Sequence, residues 1–278
     1  MPSTQAITFT QHYLTADQVL SPYIWSFYAS FLIAFVFTPI LRSVAIYYGI
    51  VDKPDLVRKL HAQPVAYLGG VAVFMGWLGG MAATQFTPMH MTELGVDDRL
   101  RVPLAIILAA IIILILGLWD DILHLSPRVK IFGQLLAAVA LLSQGIGMEL
   151  THFLVNNVAI RIESRLGMMI PLGIIDWTTW VTSVGATVGL VVFCCNASNL
   201  MDGLDGLCGG VTGINAIGFV FLAVIIAQPE SIFADSASFT EKINGDGLRV
   251  VIALALLGGV LGFVPYNFNP ASIFMGDT

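Results

Sequence analysis

The stretch NASNLMDGLDGLCGG, residues 196–210, follows directly on VGATVGLVVFCC, residues 184–195. The earlier run is apolar enough for lipid, yet the later one carries an amide or carboxylate at every third position: Asn196, Asn199, Asp202 and Asp205. Residues three apart drift by about 60° per step around a 3.6-residue helix, so this set does not make one stripe. Gly203 and Gly206 further weaken a continuous helix. The stretch reads as the end of an apolar helix that opens into a loop, with Asn199, Asp202 and Asp205 turned toward one cleft.

The rest of the chain agrees with a lipid setting. Of 278 residues, 57% are hydrophobic and 11% charged, against roughly 25% charged in a soluble domain. Crossing a bilayer core of about 30 Å takes roughly 20 apolar residues. Seven segments qualify or nearly do, at about 24–47, 66–86, 102–119, 131–147, 175–195, 207–227 and 249–268, by this length criterion. The expected architecture is all-α: a polytopic membrane helix bundle of about seven transmembrane helices, forming one membrane-embedded domain over residues 1–278. The Gly pairs at 69–70, 79–80 and 258–259 suit close helix packing. The first apolar run has neither a basic segment before it nor a small-residue cleavage site after it, which predicts a retained first helix. Between the fourth and fifth segments, NVAIRIES (157–164) alternates apolar and polar residues, and RLGMMI (165–170) can pair with it. That alternation predicts a small β-hairpin outside the membrane.

Seven crossings would sort the loops into two sets. One holds VDKPDLVRKLHAQPVAYLGG, DDILHLSPRVK, NLMDGLDGL and the tail NFNPASIFMGDT. Basic residues do not orient the array: Arg42, Lys53, Arg58, Lys59, Arg128 and Lys130 fall on that side, Arg99, Arg101, Arg161, Arg165, Lys242 and Arg249 on the other. This scatter, with a net charge of −6, also excludes a nucleic-acid partner, which needs a basic patch. Cys194, Cys195 and Cys208 have neither metal-ligand nor disulfide-framework spacing and read as inert thiols.

The first loop set gathers Asp52, Asp55, Asp120, Asp121, Asp202, Asp205 and Asp277 on one membrane face. Each alone can be a helix cap. Together, beside Lys53, Arg58, Lys59, Arg128 and Lys130, they repel one another unless cations intervene. Hard oxygen donors mixed with basic side chains suit Mg²⁺ and phosphate. Phosphoryl transfer needs little beyond such positioning and charge. In GLWDDILHLSPRVK, adjacent Asp120 and Asp121 point in different directions from a helix end, so one can face a substrate and the other a partner.

These four motifs in this order, over nearly the whole chain, resemble the polyprenyl-phosphate N-acetylhexosamine-1-phosphate transferases of glycosyltransferase type 4. The resemblance implies transfer of a sugar 1-phosphate from a UDP-N-acetylhexosamine to a polyprenyl phosphate lipid. It implies that one of Asp120 and Asp121 is the base toward the lipid phosphate and that Lys130 meets phosphate. It implies Asn199 and Asp277 as Mg²⁺ ligands, with Mn²⁺ as the alternative ion. Asp202 and Asp205 match an acidic pair on the nucleotide side, and Lys53, Arg58, Lys59 and His61 match a segment near the nucleotide and pyrophosphate. The family's active face is cytoplasmic, which implies a multi-pass plasma-membrane protein with the first loop set inside. VDKP…RKLH…LGG looks more like the undecaprenyl-phosphate N-acetylglucosamine-1-phosphate transferases of cell-envelope polysaccharide synthesis than like the phospho-MurNAc-pentapeptide transferases of peptidoglycan synthesis. Family members continue past MGDT with further spans and a His-rich loop, so the resemblance also implies a C-terminally truncated chain. An ion-coupled transporter, a non-catalytic membrane protein and a homodimer remain open at this stage.

Overall fold

The computed structural model of the protein describes residues 12–52, 64–86 and 100–277, apart from positions 14, 168, 170, 228 and 231–235. In chain order the elements are β1 (His12–Tyr13), α1 (Ala16–Leu20), α2 (Ile24–Tyr48), β2 (Val51–Asp52), β3 (Val65–Ala66), α3 (Gly69–Ala83), α4 (Leu104–Leu123), α5 (Pro127–Leu142), α6 (Met148–Leu166), α7 (Leu172–Met201), α8 (Leu207–Ala227), β4 (Pro229–Glu230) and α9 (Ser236–Asn267). Two antiparallel pairs, β1 with β4 and β2 with β3, are the only sheets among the described residues. All seven apolar segments lie in helices. Five stretches of the described residues are long and apolar enough to cross a membrane: 16–48, 104–123, 172–201, 207–227 and 246–267. Apolar α3 is shorter than that, and α5 has 16 residues. The chain is therefore a multi-pass membrane protein, and five of the seven expected crossings meet the length and composition criterion among the described residues.

One expectation is overturned. The first strand of the predicted hairpin, 157–164, is instead part of the C-terminal half of α6, which runs on to Leu166; positions 168 and 170 of its expected partner lie outside the described residues. Alternation in NVAIRIES is real over eight residues, but a wider window places Thr151, Leu154, Val155, Val158, Ala159 and Ile162 at helical spacing on one face, and that face lines a groove beside α7. Glycines close both ends: Gly147 with φ +93° and Gly167 with φ +64°, whose N–H bonds the Glu163 carbonyl. These left-handed positions favour residues without Cβ.

The fold divides into two compact units, each assembled from three stretches. The first comprises 1–41, 72–101 and 209–268. In it α2, α3 and α9 approach closely through small residues. A Cβ at Gly80 would lie 2.7 Å from the Ser26 carbonyl and 3.0 Å from Ala255 Cβ, and one at Gly259 would lie 3.0 Å from the Val73 carbonyl. Ser30 Oγ donates to the Ala255 carbonyl, so a polar side chain buried between apolar helices is satisfied by backbone. The glycine pairs at 79–80 and 258–259 are thus packing positions.

The second unit comprises 42–71, 102–208 and 269–278. In it α4 packs on α5, and α5 and α6 pack on α7. The α4–α5 turn has local causes. His124 sits in the left-handed region and donates its N–H to the Asp120 carbonyl, ending α4. Pro127 then takes the first position of α5, where a missing N–H costs nothing. The turn sets Asp120 and Lys130 on facing helix ends. Residues 64–71 fasten the chain's last segment: Phe274 N donates to the Ala66 carbonyl, and Gly69 N and Gly70 N, which open α3, donate to the carbonyls of Phe274 and Met275.

Candidate active site

Four segments of the second unit meet at one place: the end of α4, the start of α5, the end of α7 with its following turn, and residues 269–277. Lys130 is the hub. Its Nζ lies 2.6 Å from Asp120 Oδ2 and 2.9 Å from Asp277 Oδ2. Asp120 is buried and also accepts from Leu125 N at 2.8 Å, a bond that the α4–α5 turn provides. Asp277 accepts from Asn199 Nδ2 through its other oxygen. Its backbone N–H donates to Asp121 Oδ1 at 2.9 Å. Five residues read from the sequence as catalytic or metal-binding, Asp120, Asp121, Lys130, Asn199 and Asp277, are therefore in one connected network.

Asp202 and Asp205 are nearby but differently engaged. Asp202 caps α7 and accepts from Gly276 N at 3.1 Å. Asp205 accepts from Asn269 Nδ2 and Ala271 N, both at 3.0 Å. Their carboxylates hold the backbone that delivers Asp277, a role that sequence spacing does not reveal. Lys53, Arg58, Lys59 and His61 lie outside the described residues. The opening motif's first amide, Asn196, donates to Gln134 Oε1 at 3.1 Å and ties α7 to α5.

Electrostatics follow from this crowding. Burial first, then the charges of Asp277 and Asp205, push Asp202 up to about 6, against the Gly276 N–H that favours its ionised form. Burial also raises Asp277, helped by its hydrogen bond with Asp120 and opposed by Lys130. Burial alone would lower the Lys130 ammonium, but its bonds to Asp120 and Asp277 outweigh that and hold it above its usual range. Tyr67, missed in the sequence reading, is raised by burial and by its bond to buried Asp52, with Asp121 and Asp277 adding to the shift. No spacing rule would have selected it, because it approaches the site only through the pairing of 66–70 with 273–275.

Gly276 has φ +77°, and a Cβ there would stand 2.5 Å from Asp121 Oδ2. That oxygen is buried and has no hydrogen-bond partner among the described residues. Leaving a buried carboxylate oxygen unmatched is costly, so its position suits an oxygen that awaits a cation or a proton. Among the described residues no three His, Cys, Asp or Glu side chains are arranged as a metal centre. The donor set is nonetheless of hard oxygens, the ligand type that Mg²⁺ takes.

A polar cluster of this kind at the ends of apolar helices, α4 and α7 being long enough to cross a bilayer, places the chain among polytopic membrane proteins. A family model described as glycosyl transferase family 4 matches residues 103–278, and the chain belongs to that family. It is 34% identical over 263 residues, 94% of this chain and 60% of the relative, to a probable undecaprenyl-phosphate N-acetylglucosaminyl 1-phosphate transferase of Bacillus subtilis. It is 29% identical over 250 residues, 89% of the chain and 54% of the relative, to a decaprenyl-phosphate N-acetylglucosaminephosphotransferase of Mycolicibacterium smegmatis. A phospho-N-acetylmuramoyl-pentapeptide-transferase of Desulforudis audaxviator is 30% identical over 232 residues, 80% of the chain and 60% of that protein. The chain thus spans between about half and three-fifths of the length of these curated relatives.

Proposed function

We propose that the protein transfers N-acetylglucosamine 1-phosphate from UDP-N-acetylglucosamine to undecaprenyl phosphate, releasing UMP at the cytoplasmic face of the plasma membrane. The observation that carries this reading is the meeting of Asp120, Asp121, Lys130, Asn199 and Asp277 on three helix ends and one fastened segment. It is supported by relatives named as an undecaprenyl-phosphate N-acetylglucosaminyl 1-phosphate transferase and a decaprenyl-phosphate N-acetylglucosaminephosphotransferase, matched over 89–94% of the chain. An ion-coupled transporter would place its charges near the bilayer midplane, whereas these sit at helix ends.

The acceptor's phosphate oxygen attacks the β-phosphorus, the bond from that phosphorus to the bridging oxygen breaks, and UMP leaves. Lys130, fixed between two carboxylates, is an ammonium at neutral pH and sits where it can meet phosphate oxygens. Asp120 or Asp121 accepts the proton of the acceptor phosphate; Asp121 Oδ2, buried and without a donor among the described residues, is the oxygen left to take a proton. Asp277 and Asn199 are the residues that would hold Mg²⁺, or Mn²⁺ in its place, and the bound ion would draw charge from the diphosphate. Lys53, Arg58, Lys59 and His61 are assigned to the nucleotide and pyrophosphate end. The acceptor's phosphate stays at the interface while its chain lies in lipid, which accounts for a site at helix ends.

Substituting Asp120→Asn or Asp121→Asn should abolish UMP release from UDP-N-acetylglucosamine and undecaprenyl phosphate while leaving membrane insertion intact. Wild-type turnover in both variants would sink the assignment. The match to the pentapeptide transferase supports a second donor, and turnover of UDP-MurNAc-pentapeptide in preference to UDP-N-acetylglucosamine would replace the first reading with that one.

A further inference from the structure

Far from this cluster, α6 and the N-terminal half of α7 flank an open groove of about 570 Å³. Its walls include Leu154, Val155, Val158 and Ile162 from α6, and Ile174 and Ile175 from α7. Three threonines also line it, yet their hydroxyls are turned inward to backbone. Thr178 Oγ1 donates to the Ile174 and Ile175 carbonyls, Thr182 Oγ1 to those of Thr178 and Thr179, and Thr151 Oγ1 to that of Met148. The threonines thus show the groove their methyl groups and ask for no polar partner. Past Val158 and Ile162 the groove runs into a cavity of about 410 Å³ lined by Arg161 and Arg165. These are four residues apart on one helix face, where like charges repel. Among the described residues neither guanidinium has an ion-pair partner.

The groove has a depth and a polarity. Along α7, Ile174 to Ala186, the range of the lining, covers about 18 Å at a rise of 1.5 Å per residue. That is close to half of the roughly 30 Å hydrocarbon core. From Ile174 to Asn199, at the catalytic end of the same helix, is about 37 Å, more than the whole core. A phosphate between the arginines is therefore in the leaflet opposite the polar cluster and cannot be the reacting acceptor.

We infer that this groove binds one hydrocarbon chain of an anionic bilayer phospholipid, with the lipid phosphate set between Arg161 and Arg165. An apolar channel about one leaflet deep takes the chain, and the two cations at its mouth, without an ion-pair partner among the described residues, select a negative headgroup over a zwitterionic one. The inference is independent of the transfer reaction.

Native mass spectrometry of the detergent-purified full chain, given equal phosphatidylglycerol and phosphatidylcholine with matched acyl chains, tests it. Retention of phosphatidylglycerol should exceed phosphatidylcholine by about tenfold, the order expected of two basic residues near an anionic group. An Arg161→Gln/Arg165→Gln variant should retain the two lipids equally, and Arg161→Lys/Arg165→Lys should recover most of the preference. Because the variants can fail to fold, the wild-type preference is also followed with salt, where it should decline as the partly exposed charges are screened. Equal retention by the wild type, an undiminished preference in the glutamine variant or a salt-independent one would overturn the inference. So would displacement of phosphatidylglycerol by stoichiometric undecaprenyl phosphate, which would give the groove to the acceptor, or its loss on self-association, which would give it to a second copy.

Discussion

At Gly276 a hydrogen atom stands where any other residue would place carbon 2.5 Å from Asp121 Oδ2, in a backbone conformation with φ +77° that L side chains rarely adopt. Gly276→Ala should therefore lose about 1–2 kcal/mol from backbone conformation alone and displace either Asp121 or the neighbouring Asp277. UMP release should fall by at least tenfold in kcat, and unchanged turnover would show that the Asp121–Asp277 geometry is not required. Asp205 makes a sharper test of role. Its carboxylate holds Asn269 and Ala271, so Asp205→Ala should lower kcat with little change in the KM for UDP-sugar. A raised KM with kcat preserved would instead support the expected place of Asp205 on the nucleotide side. The residue types of the site were legible from the motifs, because carboxylate, amide and lysine are the donors that phosphate and Mg²⁺ chemistry need. Which carboxylate reacts and which holds backbone was not legible, since both uses call for the same residue at the same spacing.

Among the elements, α3 depends on glycine for contact and α6 for termination. Gly80 lets α2 and α3 meet at backbone distance, with the Ser26 carbonyl, Ser30 Cβ and Ala255 Cβ all within 3.0 Å of a notional Cβ. Gly80→Val must separate these helices and should cost about 1–3 kcal/mol, read as a lower thermal midpoint in detergent. A midpoint equal to wild type would mean that the interface is looser than described. The apolar helices were readable because a length near 20 residues and the absence of charge have one common physical cause, the bilayer. The α6 segment was misread because eight alternating residues satisfy the strand period, while its helical face emerges only over 12 residues, from Thr151 to Ile162.

For the whole molecule, the buried carboxylates impose a pH dependence. Asp202 is pushed up to about 6 in the folded protein, against roughly 3.9 in an unfolded chain. Between those values the folded state holds the proton and the unfolded state has released it, so stability contributed at low pH is lost as pH rises from about 4 through 6. The loss is at most about 3 kcal/mol at 1.4 kcal/mol per pK unit. Thermal unfolding in detergent without divalent ions should show this decline, and Asp202→Asn should flatten it. Added Mg²⁺ should also flatten it by stabilising the ionised cluster; a slope identical with and without Mg²⁺ would count against a cation beside these carboxylates. Taken by itself, the sequence determined the lipid setting, the apolar helices and the inventory of the site, because hydrophobic length and ligand chemistry are properties of local runs. Only the tertiary structure decided that Lys130 bridges Asp120 and Asp277, that Asp202 and Asp205 hold the segment bearing Asp277, and that Asp121 keeps an oxygen free. Those are relations between residues up to 156 positions apart, and they are fixed by how α4, α5, α7 and the 269–277 segment pack rather than by any one stretch of chain.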